Sequence, residues 1–144
     1  MTVRAKINWI RNFQLEGVTN SCHTVKMDTG AFSSAASPAE LLLQSLAGCS
    51  MMDCILIITK SRRNISNFWV DVVAEEADVC PKVYTKIHLT YNFISDELDN
   101  AVIERAINLS QEKYCKVYAM LHNSVDITYS FNLNSANKAF MKSA

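Results

Sequence analysis

Five of the 144 residues are cysteines, Cys22, Cys49, Cys54, Cys80 and Cys115, and they are the side chains best suited to chemistry in this sequence. A free thiol can act as a nucleophile, a soft metal ligand or a reversible redox centre, depending on its surroundings. The count is odd, no Cys-x-x-Cys pair occurs, and the spacings do not make a disulfide framework. No signal peptide is expected ahead of the first strand, so a reducing cytoplasm is the expected location.

Cys49 lies in Leu46-Ala47-Gly48-Cys49-Ser50, inside a long apolar segment that reads as a helix. A glycine in a helix interior costs about 1 kcal/mol relative to alanine, so Gly48 suggests close approach of another element or a ligand. Spacing alone also allows Cys49 to be a packed core thiol. Asp53 follows at i+4, on the same face, and an ionised carboxylate there opposes a neighbouring thiolate. Any activating cation must come from elsewhere. Arg62 lies thirteen residues on, roughly 20 Å along a straight helix, which leaves Arg4, Arg11 or an arginine of a second subunit.

Cys115, in Glu112-Lys113-Tyr114-Cys115-Lys116-Val117, has two lysines close by in sequence. They could favour its thiolate, or simply sit solvated at a helix C-terminus. Cys54 and Cys80 read as structural. Cys22-His23 lacks a second ligand pair at zinc spacing, and His88 and His122 stand alone, so no metal site is expected. Three glycines leave no phosphate-cradling loop, no nucleophile-elbow pattern occurs, and no cofactor is expected.

The elements that must position these residues can be read from periodicity. Val3, Ala5, Ile7 and Trp9 alternate with Arg4, Lys6 and Asn8 in a first strand; residues 16–20 and 23–27 suggest two more. The Ala/Ser-rich run from Gly30 to Ser37 reads as a loop. Ser37-Pro38-Ala39-Glu40 then forms a capping box, with serine at N-cap, proline at N1 and glutamate at N3. The helix it opens runs to about Arg62, apolar on almost every side and therefore expected to be buried on most of them, with a partner subunit completing the cover. Leu41 to Thr59 could span a bilayer by length, but Gln44, Ser45, Ser50 and Asp53 argue for a soluble core helix and no membrane partner.

Two further strands follow, one with Phe68, Val70, Val72 and Ala74 on a common face, the other running from Val83 to Phe93. A second helix is predicted from Ser95 or Asp96 to about Cys115, its acidic start matching the helix dipole. A last strand carries Val125, Ile127, Tyr129, Phe131 and Leu133 inward, and the tail after Asn134 reads as polar and loose. The order β-β-β-α-β-β-α-β, with strands in antiparallel blocks, indicates an α+β fold in a single domain, 1–144. Fourteen basic and fourteen acidic residues balance, which gives no electrostatic reason to expect nucleic acid.

Ser37-Pro38-Ala39-Glu40-Leu41-Leu42-Leu43 with Ala47-Gly48-Cys49-Ser50, together with Glu112-Lys113-Tyr114-Cys115, resembles the two cysteine segments of the OsmC/Ohr family, the osmotically inducible protein C and organic hydroperoxide resistance proteins. Val3 to Trp9, Pro81 to Tyr84 and Val125 to Phe131 are similar to the family as well, so the likeness covers nearly the whole chain. It implies an OsmC-like fold with two long helices in an intertwined homodimer. It also implies a thiol-dependent peroxidase acting on organic hydroperoxides, with hydrogen peroxide as a second candidate substrate. Carried over, Cys49 attacks the peroxide and becomes a sulfenic acid, Cys115 closes a disulfide, and a dithiol reduces it. Glu40 and Asp53 are the candidates for supporting roles.

The sequence departs from the family's peroxidases at three places. Ala39 follows the helix-initial proline where they carry glutamate, Lys116 replaces a proline after the second cysteine, and residues 18–36 hold no counterpart of their arginine segment. The Gly-Cys-Ser-x-x-Asp pattern at Gly48 to Asp53 resembles a less characterised branch. The alternative implied by these departures is a non-catalytic, dimeric stress-associated protein that binds a small hydrophobic ligand at the subunit interface.

Overall fold

The alternating segments form six strands and the apolar segments three helices, seen in a computed structural model that describes residues 1–136. The single-domain span and the expected loose tail extend over residues 137–144, which lie outside the described residues. The chain divides into two compact units, Met1–Gln44 and a second beginning at Ser45.

The first unit is built on an antiparallel sheet of β1 (Ala5–Arg11), β2 (Gln14–Thr19) and β3 (Thr24–Met27). Register places Ile7 opposite Gly17 and Gly17 opposite Val25, so the three share a face. A methyl group on Gly17 would crowd the side chains of Met27 and Ile7, at 3.2 and 3.3 Å. Ile7, Trp9 and Val25 are nevertheless exposed.

Helix α1 (Pro38–Lys60) begins in the first unit and continues in the second. Its start is the predicted capping box. Ser37 N donates to Glu40 Oε2 at 2.7 Å and Glu40 N donates to Ser37 Oγ at 3.2 Å. Preceding it, Asp28 accepts from the Ser34 hydroxyl at 2.6 Å, and this bond holds its carboxyl below the usual range. Gly30, at φ +88°, turns the loop where a side chain would strike the Glu40 carboxylate.

In the second unit, β4 (Asn67–Glu76), β5 (Tyr84–Ile94) and β6 (Asp126–Asn134) form a sheet with β5 central. Here the expected antiparallel arrangement needs correcting. β4 and β5 pair antiparallel, but β5 and β6 pair parallel, because a helical connection returns the chain to the starting end of β5. Ile87, Leu89, Tyr91 and Phe93 of β5 are buried, together with Leu46, Cys54 and Ile58 of α1 and Ile103, Ala106 and Ile107 of α2 (Asn100–Leu109). On the other face His88 is bonded to Thr128 and Ser130 at 2.7 and 3.0 Å, which accounts for that isolated histidine.

Within the single chain only the Leu46–Ala47–Ser50–Cys54–Ile58 flank of α1 is buried; Met52, Ile55 and Leu56 are open, Met52 at 73% exposure, in keeping with the expectation that one chain of this size does not surround so apolar a helix. The predicted second long helix starts later than expected and is two pieces up to its predicted end near Cys115, after which a further short helix follows. Ser95 Oγ accepts from Glu97 N and Leu98 N in a preceding turn, and Asp99 is the true N-cap, accepting from Val102 N at 2.9 Å. The α2 spiral then widens into a π turn (Ser110–Tyr114) and restarts as α3 (Lys116–Leu121).

Candidate thiol site

The i, i+4 spacing on α1 sets Cys49 and Asp53 on one flank, beside the buried Ser50 and Cys54. Cys49 is half-buried. The helix surface at Gly48 is open: a Cβ built there meets nothing within 4 Å, so no other element of the described residues makes a close approach.

The second cysteine arrives through the π turn. One extra residue in the turn lets Cys115 N donate to Ser110 O at 2.8 Å, an i to i−5 bond, and re-aims the following backbone. Cys115 is then the N-cap of α3, in extended conformation, and its sulfur accepts from Tyr118 N at 3.4 Å. The result is a sharp corner that turns the thiol inward, to 2% exposure. Lys113 and Lys116 flank it in sequence but are exposed.

The two sulfurs and a carboxylate oxygen of Asp53 lie within 4.8 Å of one another. Behind them runs a buried chain of hydroxyls. Ser110 Oγ is shared between Asp53 Oδ2 at 2.9 Å and Ser50 Oγ at 3.0 Å, and Ser50 Oγ lies 2.6 Å from the Tyr91 hydroxyl. Every member is satisfied, as buried polar groups must be. Burial pushes the Cys115 thiol up to about 12, against the Tyr118 N–H, with Cys49 and Asp53 adding to the rise. Burial, then Asp53, also pushes Cys54 up to about 12, and burial raises Tyr91. Cys115 and Cys54 are therefore neutral thiols at neutral pH.

Sequence reasoning placed Cys49, Asp53 and Cys115, and the fold brings all three together. Glu40 sits at N3 of α1, engaged with Ser37 and packed under Gly30. Cys22 and Cys80 are exposed, Cys22 in a turn at φ 64°. Sequence reasoning missed Ser50, Tyr91 and Ser110, which are polar residues on faces otherwise apolar; Ser110 interrupts the apolar run of the second helix, and that was the available signal. It also missed Arg105. This residue lines a groove of about 420 Å³ with Asp53, Lys60, Leu56, Leu109 and Tyr114.

Two three-stranded sheets, a long central helix and a second cysteine delivered at a helix break define an OsmC-like α+β protein. The chain belongs to the OsmC-like protein family, whose profile matches residues 30–130. Protein YhfA of Escherichia coli strain K12 is 32% identical over 134 residues, covering 93% of this chain and 100% of YhfA. The crystal structure of a hypothetical protein from Aquifex aeolicus is similar at a TM-score of 0.84 and 23% identity, over 94% of this chain and 98% of that one. The organic hydroperoxide resistance protein OhrB of Bacillus subtilis shares the fold at a TM-score of 0.62 and 13% identity, over 92% and 98% of the two chains. Membership of this family supports a role in redox or stress chemistry.

Proposed function

We propose that the chain is a thiol-dependent peroxidase that reduces organic hydroperoxides, with Cys49 as the peroxidatic thiol and Cys115 as the resolving one. The observation that carries this reading is the meeting of two sulfurs of unequal exposure, one half-buried and one at 2%, within 4.8 Å. The accessible thiol meets the oxidant while the buried one waits, protonated, for the product of that step.

In the first step the Cys49 thiolate attacks the outer peroxide oxygen, the O–O bond breaks, and the alkoxide leaves and takes up a proton as alcohol. Asp53, with a carboxylate oxygen within 4.8 Å of both sulfurs, would receive the thiol proton and return it to the alkoxide. In the second, the Cys115 sulfur attacks the Cys49 sulfenic acid; its thiol proton and the departing hydroxide leave as water, and the disulfide forms. A dithiol donor then restores both thiols. Leu56, Leu109 and Tyr114 give the groove beside Asp53 apolar walls suited to an organic hydroperoxide, and Lys60 and Arg105 are cations that line it.

A homodimer in the cytoplasm, each chain forming one OsmC-like domain over 1–144, belongs to the same proposal. The open flank of α1 supports the dimer, since Met52, Ile55 and Leu56 would otherwise face water. The groove also supports a second reading, a non-catalytic dimeric protein holding a small hydrophobic ligand.

One experiment separates the two. Reduced protein is mixed with cumene hydroperoxide, thiols are counted over time, and peptides are mapped by mass spectrometry. The peroxidase reading expects a Cys49–Cys115 disulfide and turnover with a dithiol, both lost in Cys49→Ser. Equal oxidation of Cys49→Ser and the unmutated chain would overturn it.

A further inference from the structure

We propose that the reduced chain binds one zinc ion between Cys49, Asp53 and Cys115. These residues are the one group of three potential metal ligands found converging among the described residues, with donor atoms within 4.8 Å of one another. Two sulfurs and one carboxylate oxygen form a donor set that selects a borderline-soft divalent cation over magnesium or calcium, and zinc first among the common ones. Around a tetrahedral zinc at ordinary bond lengths, two thiolate sulfurs sit about 3.8 Å apart. The trio therefore closes on an ion with about an ångström of side-chain adjustment.

Three further features fit a metal centre. Ser110 holds the Asp53 carboxylate through Oδ2, the kind of outer hydrogen bond that orients a metal-bound carboxylate. Cys115 is fixed by the corner between the π turn and α3, so one ligand is rigid before the ion arrives. Cys49 is half-buried and Asp53 lines an open groove, which gives the ion an entry path and leaves a fourth position for water. Binding releases the two thiol protons to solvent, and the ion offsets three groups that otherwise repel one another when charged. Zinc would hold both sulfurs out of disulfide chemistry, so the bound form is a protected resting state.

The sequence could not show this, since its ligands are separated by four and by sixty-two positions and match no zinc spacing. The test does not depend on peroxidase chemistry. Full-length protein carrying Cys22→Ser and Cys80→Ser, to remove the exposed thiols, is kept reduced with a phosphine and titrated with cobalt(II). One cobalt per chain is expected, with a thiolate-to-metal charge-transfer band and visible bands of tetrahedral intensity, displaced stoichiometrically by zinc. Cys49→Ser and Asp53→Asn are each expected to weaken zinc binding at least tenfold. As a readout that needs no variant at the site, zinc should raise the thermal midpoint of the same protein. Absence of the cobalt–thiolate band, or zinc affinity unchanged in both variants, would overturn the proposal. Peroxide oxidation of the metal-free protein would stand or fall separately.

Discussion

The hydroxyl of Ser110 lies 2.9 Å from the Asp53 carboxylate, tying the first residue of the π turn to α1 one helical turn past Cys49. Ser110 is wholly buried and bonded to Ser50 as well, so the same hydroxyl fixes the segment that delivers Cys115 and the acid that faces it. Ser110→Ala removes both contacts and leaves part of the carboxylate's hydrogen bonding unmet. The expected cost is about 1–3 kcal/mol in urea unfolding. Disulfide closure after peroxide addition should also slow, measured by quenched-flow thiol counting. A variant that loses stability but closes its disulfide at the unmutated rate would show that Ser110 supports the fold alone.

Cys54 and Cys115 impose a dependence on alkaline pH. Both are neutral in the folded chain, with thiols pushed up to about 12 from a reference value of 9.0, chiefly by burial. In the unfolded chain they ionise near the reference value, so between about 9 and 12 the folded state holds more protons and stability falls as pH rises. Their contribution is fully present below pH 9. Urea midpoints should therefore hold steady from pH 7 to 8.5 and decline above 9, with Cys54→Ala showing a shallower decline by about one proton per chain. A midpoint independent of pH up to 10.5 would contradict the burial of these thiols.

Glu40 offers a test of position against chemistry. Its carboxylate receives Ser37 N at 2.7 Å, so Glu40→Ala should destabilise the start of α1 by about 1 kcal/mol. The rate of Cys49 oxidation by cumene hydroperoxide should not change. If the rate falls sharply at temperatures where the variant is fully folded, Glu40 serves the site as well as the cap.

Much of this could be read from the chain because its signals are local. Alternation fixed the faces of β4 and β6, and Ser37-Pro38-Ala39-Glu40 marked the start of α1 to the residue. The parallel pairing of β6 was not legible, since alternation says which face is inward and nothing of strand direction. Nor was the break in the second helix. Ser110 to Tyr114 has no proline or glycine, and the widened turn is held by the buried contacts of Ser110, which are sixty and fifty-seven positions away in sequence. The site follows the same rule: Cys49 and Asp53 were legible as an i, i+4 pair, whereas the hydroxyl chain to Tyr91 exists only once α1, β5 and the π turn meet.

The open flank of α1 makes the final prediction. Met52 and Ile55 are exposed on α1, and Gly48, four residues before Met52, leaves the backbone bare on the same flank. Burying such side chains against a second copy is worth about 1.5–3 kcal/mol each. Sedimentation equilibrium should therefore find a dimer at micromolar concentration, weakened strongly by Met52→Glu and by Ile55→Glu, because an unpaired carboxylate would have to be desolvated in the interface. Gly48→Leu tests the closeness of the approach. It adds bulk where the single chain has room, so a loss of dimer without loss of helix content would mean that the partner packs against bare backbone at that position. A monomer throughout would overturn the dimer, and a dimer indifferent to all three substitutions would move the interface away from α1.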